Sequence, residues 1–293
     1  MGRKMNLRTV SERSLAAALL EFAITVSALY AGPGPMSLPR AYGQTGIPSR
    51  EVAEMIIEKV TDAQVAASSP GYLEFELREL HRRGGERVVP GRLWAGYNEA
   101  GPAVRIVLSD GGAEIRFLVQ GGAHPRAWHW VVGSSVQPCD LFAPLAQGAN
   151  ITAFDLEMPY LFWPDPRVVS VNRILGRQTN GFVFRPPPDF SAAHPDISAV
   201  RVFLDTTYNV PLQVQIIGRD GFVCKTTSLV SLKKVANRWI PEAIDIREES
   251  TREKTKFTVR AASFRHDLMP ELFEAEHLGD PANPPPEIIR LAQ

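Results

Sequence analysis

Residues 198–217, SAVRVFLDTTYNVPLQVQII, hold two runs of alternating apolar side chains separated by a turn. Val202 and Leu204 share one face of the first run, and Leu212, Val214 and Ile216 share one face of the second. A period of two residues marks half-buried β-strands, apolar toward a core and polar toward water. Asn209-Val210-Pro211 supplies the turn. A link this short makes the two strands antiparallel, because a parallel pair needs a crossover of about a dozen residues or more.

The same rhythm extends in both directions. Upstream, Leu73, Phe75 and Leu77 alternate with Glu74, Glu76 and Arg78. Strands are predicted next over 92–97, 104–108, 114–120 and 128–132, with Asp110-Gly111-Gly112 as a tight hairpin link. Further strands are expected over 167–175, 179–184 and 198–205. Downstream they follow over 212–217, 223–233, 239–247 and 256–262, where Ile240, Ile244 and Ile246 share a face. Pro138–Gly148 and Pro186-Pro187-Pro188 are read as loops, and a short helix is expected near Pro270–His277.

Two segments break the rhythm. Ser49 can cap a helix whose apolar stripe is Val52, Met55, Ile56 and Val60, an amphipathic pattern that must lie on something. Thr152 can cap a second, short helix within Phe154–Trp163, a segment too apolar and aromatic to lie free; Pro159 and Pro164 keep it in pieces. It reads either as a core plug or as a movable lid.

About a dozen antiparallel strands and two or three helices exclude a parallel α/β fold. The fold class expected is α+β, mainly antiparallel β: a strongly curved open half-barrel covered by a few helices. A two-sheet sandwich is the alternative. Such a half-barrel can leave an apolar crevice lined by Val202, Leu204, Leu212, Val214 and Ile216, with Phe154, Leu161 and Phe162 as cover.

Composition narrows the function classes. The 293 residues are 44% hydrophobic and 22% charged, an ordinary globular balance. Lys plus Arg and Asp plus Glu both number 32, so nothing pulls the chain toward nucleic acid. Cys139 and Cys224 make neither a disulfide scaffold nor a Cys-only zinc site, and whether they bond to each other stays open. His124 and His129, five residues apart, suit neither a helix face nor a strand face for a metal, so no metal or other cofactor is expected. Gly133-Ser134-Ser135 has no base placed beside it, and Glu74 and Glu76 lie on a polar strand face. No P-loop or Gly-x-Ser-x-Gly occurs, so the chain is not expected to be an enzyme.

The N-terminus reads as an export signal. Arg3, Lys4, Arg8 and Arg13 precede the apolar run Ser14–Ala31, and Ala41-Tyr42-Gly43 offers small residues for cleavage. Glu21 interrupts the run, which disfavours a membrane span, although an uncleaved anchor is the alternative. Two segments follow: a signal over 1–43 and one domain over 44–293, with the periplasm as its address.

The residues also carry a resemblance. GANITAFDL at 148–156, followed by Leu161-Phe162-Trp163, is similar to a pattern of the periplasmic lipoprotein-carrier (LolA-like) superfamily, particularly the outer-membrane lipoprotein-sorting group. Ile174-Leu175-Gly176-Arg177, VRVFLD at 200–205 with Pro211-Leu212, and Trp239-Ile240-Pro241 add to it. So do Ile244–Arg247 and Thr255-Lys256-Phe257; together the matches span roughly Ser49 to Leu278. The resemblance implies a LolA/LolB-like half-barrel that carries or binds lipid or lipoprotein acyl chains. It also implies an inner-membrane transporter and an outer-membrane acceptor as partners. The second reading is a non-enzymatic structural or sensory periplasmic domain acting by protein contacts. N-terminal sequencing of the exported protein should begin near Gln44; a retained Met1 would restore the anchor.

Overall fold

The computed structural model describes residues 46–66, 70–81, 85–122, 124–264 and 268–291. The expected signal over 1–43 lies outside these residues. Among them no helix is long and apolar enough to cross a membrane.

One meander runs through β1 (Gly71–Leu80), β2 (Glu86–Asn98), β3 (Gly101–Asp110), β4 (Ala113–Gln120), β5 (Arg126–Val131) and β6 (Gln137–Cys139). A second runs through β7 (Arg167–Ile174), β8 (Arg177–Phe184), β9 (Ile197–Asp205), β10 (Pro211–Gly218), β11 (Val223–Val235), β12 (Arg238–Glu248) and β13 (Lys254–Ser263). Every strand pair in both meanders is antiparallel, as hairpin-length links require. Gly111 and Gly112, at φ 59° and 88°, form the two-residue turn between β3 and β4 that only positive φ permits.

A single long-range ladder fuses the meanders. β1 pairs with β13 from Tyr72↔Ser263 to Leu80↔Lys254, giving the order β6-β5-β4-β3-β2-β1-β13-β12-β11-β10-β9-β8-β7. A two-residue strand, β14 (Ile289–Arg290), adds beside β13. The sheet is not closed: β6 and β7 are its two edges. It is the α+β open half-barrel expected, not a sandwich.

The two faces of the sheet are covered differently. On the concave face, Leu73, Phe75, Leu77, Leu93, Ile106 and Leu108 meet Leu229, Ile244, Ile246 and Phe257 in one buried cluster. Phe75 and Phe257 stack across the β1–β13 seam at 4.6 Å between ring centroids. Gly91 makes room for this, since a Cβ there would lie 2.3 Å from the Phe75 ring. Helix α1 (Arg50–Ala66) lays Ala53, Ile56, Ile57 and Val60 over Phe182, Phe184, Val200 and Val202. The helix finds the surface that amphipathicity demanded, but its buried stripe is shifted from the one expected: Ile56 and Val60 face the sheet with Ala53 and Ile57, Val52 packs at the margin, and Met55 is exposed.

On the convex face, residues 268–291 form a strap over β2–β5. It packs Phe273 and Leu278 on Tyr72, Trp94, Val107 and Leu118. Arg105, 1% exposed, donates hydrogen bonds to the carbonyls of Leu272 (3.2 Å), His277 (3.0 Å), Leu278 (2.9 Å) and Asp280. Arg116 donates to Leu278 and Asp280 as well, with its guanidinium 4.3 Å from the Trp130 ring. Burial, and then the neighbouring Arg116, push Arg105 down to about 10, which still leaves it charged at neutral pH.

Four local expectations are corrected. The loop predicted over 138–148 contains strand β6 at its start, because Cys139 pairs with Ala127 at an otherwise open edge. The proline loop after β8 leads into a short helix over Pro188–Ala193, with Pro188 in its first turn, where a missing N–H costs nothing. The helix expected near 270–277 is two 3-10 turns, Pro270–Phe273 and Ala275–His277, since Arg105 takes carbonyls that a continuous helix would use internally. β2 starts at Glu86 rather than Arg92 because its ladder with β1 runs to Leu80↔Glu86.

Arg105→Ala should release the strap and cost about 2–4 kcal/mol, the scale of stranding several buried carbonyls. Limited proteolysis cutting within 268–291 ahead of the sheet would register it. His277 adds a pH dependence: Asp280 accepts its Nδ1–H at 2.8 Å and raises the imidazole above its usual 6.5. A raised histidine contributes fully below 6.5 and loses its contribution as pH rises through the folded value. The strap should therefore be cut faster at pH 8 than at pH 6, and Asp280→Asn should remove that difference.

Candidate functional site

Residues 141–163 cross the concave face, and local chemistry explains their path. The Asn150 N–H donates to Thr255 Oγ1 at 2.8 Å, which ties the approach to β13. Thr152 then caps helix α2 (Ala153–Glu157) with a full capping box: Thr152 Oγ1 accepts from the Asp155 N–H, and Asp155 Oδ2 accepts from the Thr152 N–H at 2.9 Å. Met158, at φ 44°, ends the helix in the left-handed region, and Pro159 opens the 3-10 turn Pro159–Phe162. Two prolines and one left-handed residue thus break the segment into compact pieces, as the sequence indicated.

Those pieces make an aromatic knot. Phe154, fully buried, stacks on Phe142 at 4.3 Å and lies 5.7 Å from Phe190, which also packs on Trp163 at 4.8 Å. Tyr160 sits 6.1 Å from Phe184, and burial, with the nearby Asp155, raises its hydroxyl well above the usual phenol range. Lys225 on β11 anchors α2 to the sheet: its Nζ lies 2.6 Å from Asp155 Oδ2, with side-chain exposures of 10% and 6%. Such a buried pair adds little net stability when intact, but losing one partner costs about 3–5 kcal/mol. It fixes position more than it adds stability.

Beneath α2 lies an apolar cavity of about 50 Å³. Ile151, Phe154, Leu156, Met158 and Tyr160 form its roof; Leu212, Val214, Ile216, Leu229, Ile244, Ile246 and Phe257 form its floor. Asp155, Gln213 and Thr227 are its polar margins. The volume is about a third of the roughly 150 Å³ that lets a dry cavity admit benzene. A second hollow of about 260 Å³, open to solvent, lies beside it; Lys225, Asn150, Thr152, Cys224 and Glu248 are among its walls, and Ile216 is common to both.

The candidate residues fall in two places. Leu212, Val214, Ile216 and Phe154 line the cavity. Val202, Leu204 and Leu161 do not line it; they are buried at 0%, 1% and 2% in the cluster under α1, which also takes in Phe154, Val214 and Ile216, and Phe162 is half-buried at the end of the 3-10 turn. The far wall from β11 to β13 was missed as lining, although the alternation of Ile244 and Ile246 was legible. Lys225 gave no signal at all, being one charge in a strand whose partner lies seventy positions away. His129 lies on β5 with its ring 6.4 Å from Phe117, and His124 is exposed ahead of that strand.

Comparison with known proteins gives the fold a place. Residues 192–280 match a family model described as an uncharacterized protein. No curated protein matches the chain. A domain from Vibrio parahaemolyticus, provisionally described as an outer membrane lipoprotein-sorting protein, superposes with a TM-score of 0.68 at 16% identity. The match covers 78% of this chain and 99% of that one. A DUF1329 family protein from Desulfovibrio piger gives 0.63 at 11% identity, over 78% and 98% of the two chains. A LolA superfamily protein from Nitrosomonas europaea gives 0.59 at 14%, over 76% and 97%. At these identities the likeness is one of fold, and the fold is LolA-like.

Cys139 and Cys224 are both free thiols. Burial, then Asp140, pushes Cys139 up to about 11; burial, then Glu248, raises Cys224. Both should therefore react slowly with iodoacetamide at pH 7.5 in the folded protein, because little thiolate is present. Denatured protein should show two thiols whether or not reductant is added.

Proposed function

We propose that this chain is a periplasmic, non-enzymatic carrier or binding protein for lipid or lipoprotein acyl chains, acting in outer-membrane lipoprotein sorting. In this reading residues 1–43 are removed and 44–293 work as one domain. An inner-membrane transporter would supply the ligand and an outer-membrane acceptor would take it. One observation carries the reading: an apolar cavity on the concave face of an open half-barrel, roofed by a short segment bounded by prolines. The fold shared with the Vibrio and Nitrosomonas proteins supports it.

The energetics allow an exchange of roof for ligand. Exposing Phe154, Leu156 and Met158 would cost about 1.5–3 kcal/mol each, whereas a buried chain of about twelve methylenes returns roughly 0.8 kcal/mol per methylene. The two sums are of similar size, so an acyl chain can replace the roof without a charged contact. Val202, Leu204, Leu161 and Phe162 would then border the enlarged space. The small volume of the closed cavity is also what a structural or sensory domain acting by protein contacts would show, and the same binding measurement separates the two.

A fluorescent fatty acid should bind the wild type. Val214→Glu should abolish binding, since an unpaired carboxylate would enter the apolar floor. Leu161→Ala should weaken it with the fold intact. Gln215→Glu is the control: Gln215 points to the outer face, where it bonds Gln213 and Arg201. Gln213 is unsuited because it borders the cavity. Folded wild type that takes up no acyl probe would leave the sensory reading in possession.

A further inference from the structure

We infer that the ligand is a single-chain amphiphile with an anionic head group, which Lys225 and Asn150 recognise in the outer hollow. This rests on the acyl-binding reading and narrows it to a ligand class. Polarity is graded across the two adjoining cavities. The inner one is floored by apolar side chains; the outer one opens to solvent and holds Lys225, Asn150 and Glu248. Ile216 is the shared wall, so a chain lying past it would keep its tail inside and its head beside Lys225.

Lys225 is the one cation among the residues lining either cavity. Its ammonium is held by Asp155 Oδ2, yet that oxygen also accepts the Thr152 N–H at 2.9 Å and the Thr152 hydroxyl at 2.8 Å. Asp155 therefore keeps two hydrogen bonds if Lys225 turns to another anion. Asn150 supplies the second donor. Its Nδ2 is buried and has no hydrogen-bond partner among the described residues. A carboxylate or a phosphate monoester presents at least two acceptor oxygens, one for the Lys225 ammonium and one for the Asn150 amide. A neutral glycerol head replaces neither charge-assisted bond. Glu248 tempers the site: it stands opposite Lys225 in the β11–β12 register, and its Oε1 accepts the Ser250 hydroxyl at 3.1 Å. An arriving anion thus competes with Asp155 for Lys225, against the field of Glu248, and its binding frees the helix that roofs the inner cavity.

The test is calorimetric titration of the full exported chain with laurate, dodecyl phosphate and monolaurin, which share one tail. Laurate, dodecyl phosphate or both should bind about tenfold or more tighter than monolaurin, the factor expected from one charge-assisted hydrogen bond. Whichever anion is preferred identifies a carboxylate or a phosphate head. Asp155→Asn, which also loosens the roof for every tail, should widen the ratio of anion to monolaurin affinity, and Glu248→Gln should widen it more weakly. Lys225→Gln alone would strand the Asp155 carboxylate, so the charge is removed in the pair Lys225→Gln/Asp155→Asn. In that variant the advantage of the anions should vanish while monolaurin still binds. Equal binding of all three compounds, or tight anion binding that survives the double change, overturns the head-group inference and leaves acyl binding standing. Should the double variant not fold, an Asp155→Asn protein whose ratio of preferred-anion to monolaurin affinity is unaltered overturns it equally. Failure of all three to bind overturns the acyl-binding reading itself.

Discussion

The ladder between β1 and β13 is the constraint on which the rest depends. Each meander alone is a run of hairpins with an apolar concave face and two open edges. Pairing Tyr72–Leu80 with Lys254–Ser263 removes one edge from each and merges two apolar faces into a single concave surface. Phe75 on Phe257 packs that seam. Without it the floor made by Leu212, Val214 and Ile244 would have no continuation into Leu93 and Ile106. The pairing is remote in sequence, so its loop-closure entropy falls early in folding, before the contacts that offset it are made.

Both faces of the sheet are then covered by chain with little regular structure of its own, and in each case buried cations hold it. Over the convex face Arg105 and Arg116 collect the carbonyls of the strap. Over the concave face Lys225 holds the carboxylate of α2. The difference is chemical. A guanidinium forks across several carbonyls and substitutes for the hydrogen bonds a helix would have made internally, which suits a permanent cover. An ammonium on one carboxylate is a point contact, open to exchange with another anion. The strap is thus held by several bonds at once, whereas the helix under Lys225 is held by one ion pair, the link that the inferred anionic ligand would compete for.

The roof itself is poised between two roles. Its aromatic side chains fill the mouth of the half-barrel well enough to leave about 50 Å³, and the energy of that filling is comparable with the energy of burying an acyl chain. Met158 and Pro159 interrupt the segment where a continuous helix would have locked it as a single rod. On the proposed reading, the same breaks that let Phe154 and Tyr160 fold inward are where the segment would be displaced.

The sequence by itself determined most of the strands, the two principal helix starts, the antiparallel links and the inward faces, though not β6, the helix over Pro188–Ala193 or the 3-10 turns of the strap. Val202, Leu204, Leu212, Val214 and Ile216 follow from a period of two, and Thr152 from the rule that a helix start needs an acceptor for its free N–H groups. These are local properties, set by backbone geometry and by neighbours two to four residues away. Only the tertiary structure decided which strands adjoin across the seam, that the Pro270–His277 segment becomes a strap, and that Lys225 meets Asp155. It also decided that Val202 and Leu204 lie under α1 while Ile244 and Phe257 face the cavity. Curvature and long-range register distribute identical-looking apolar alternations among different neighbours. A lone charge in a strand likewise carries no mark of the partner that the fold brings to it.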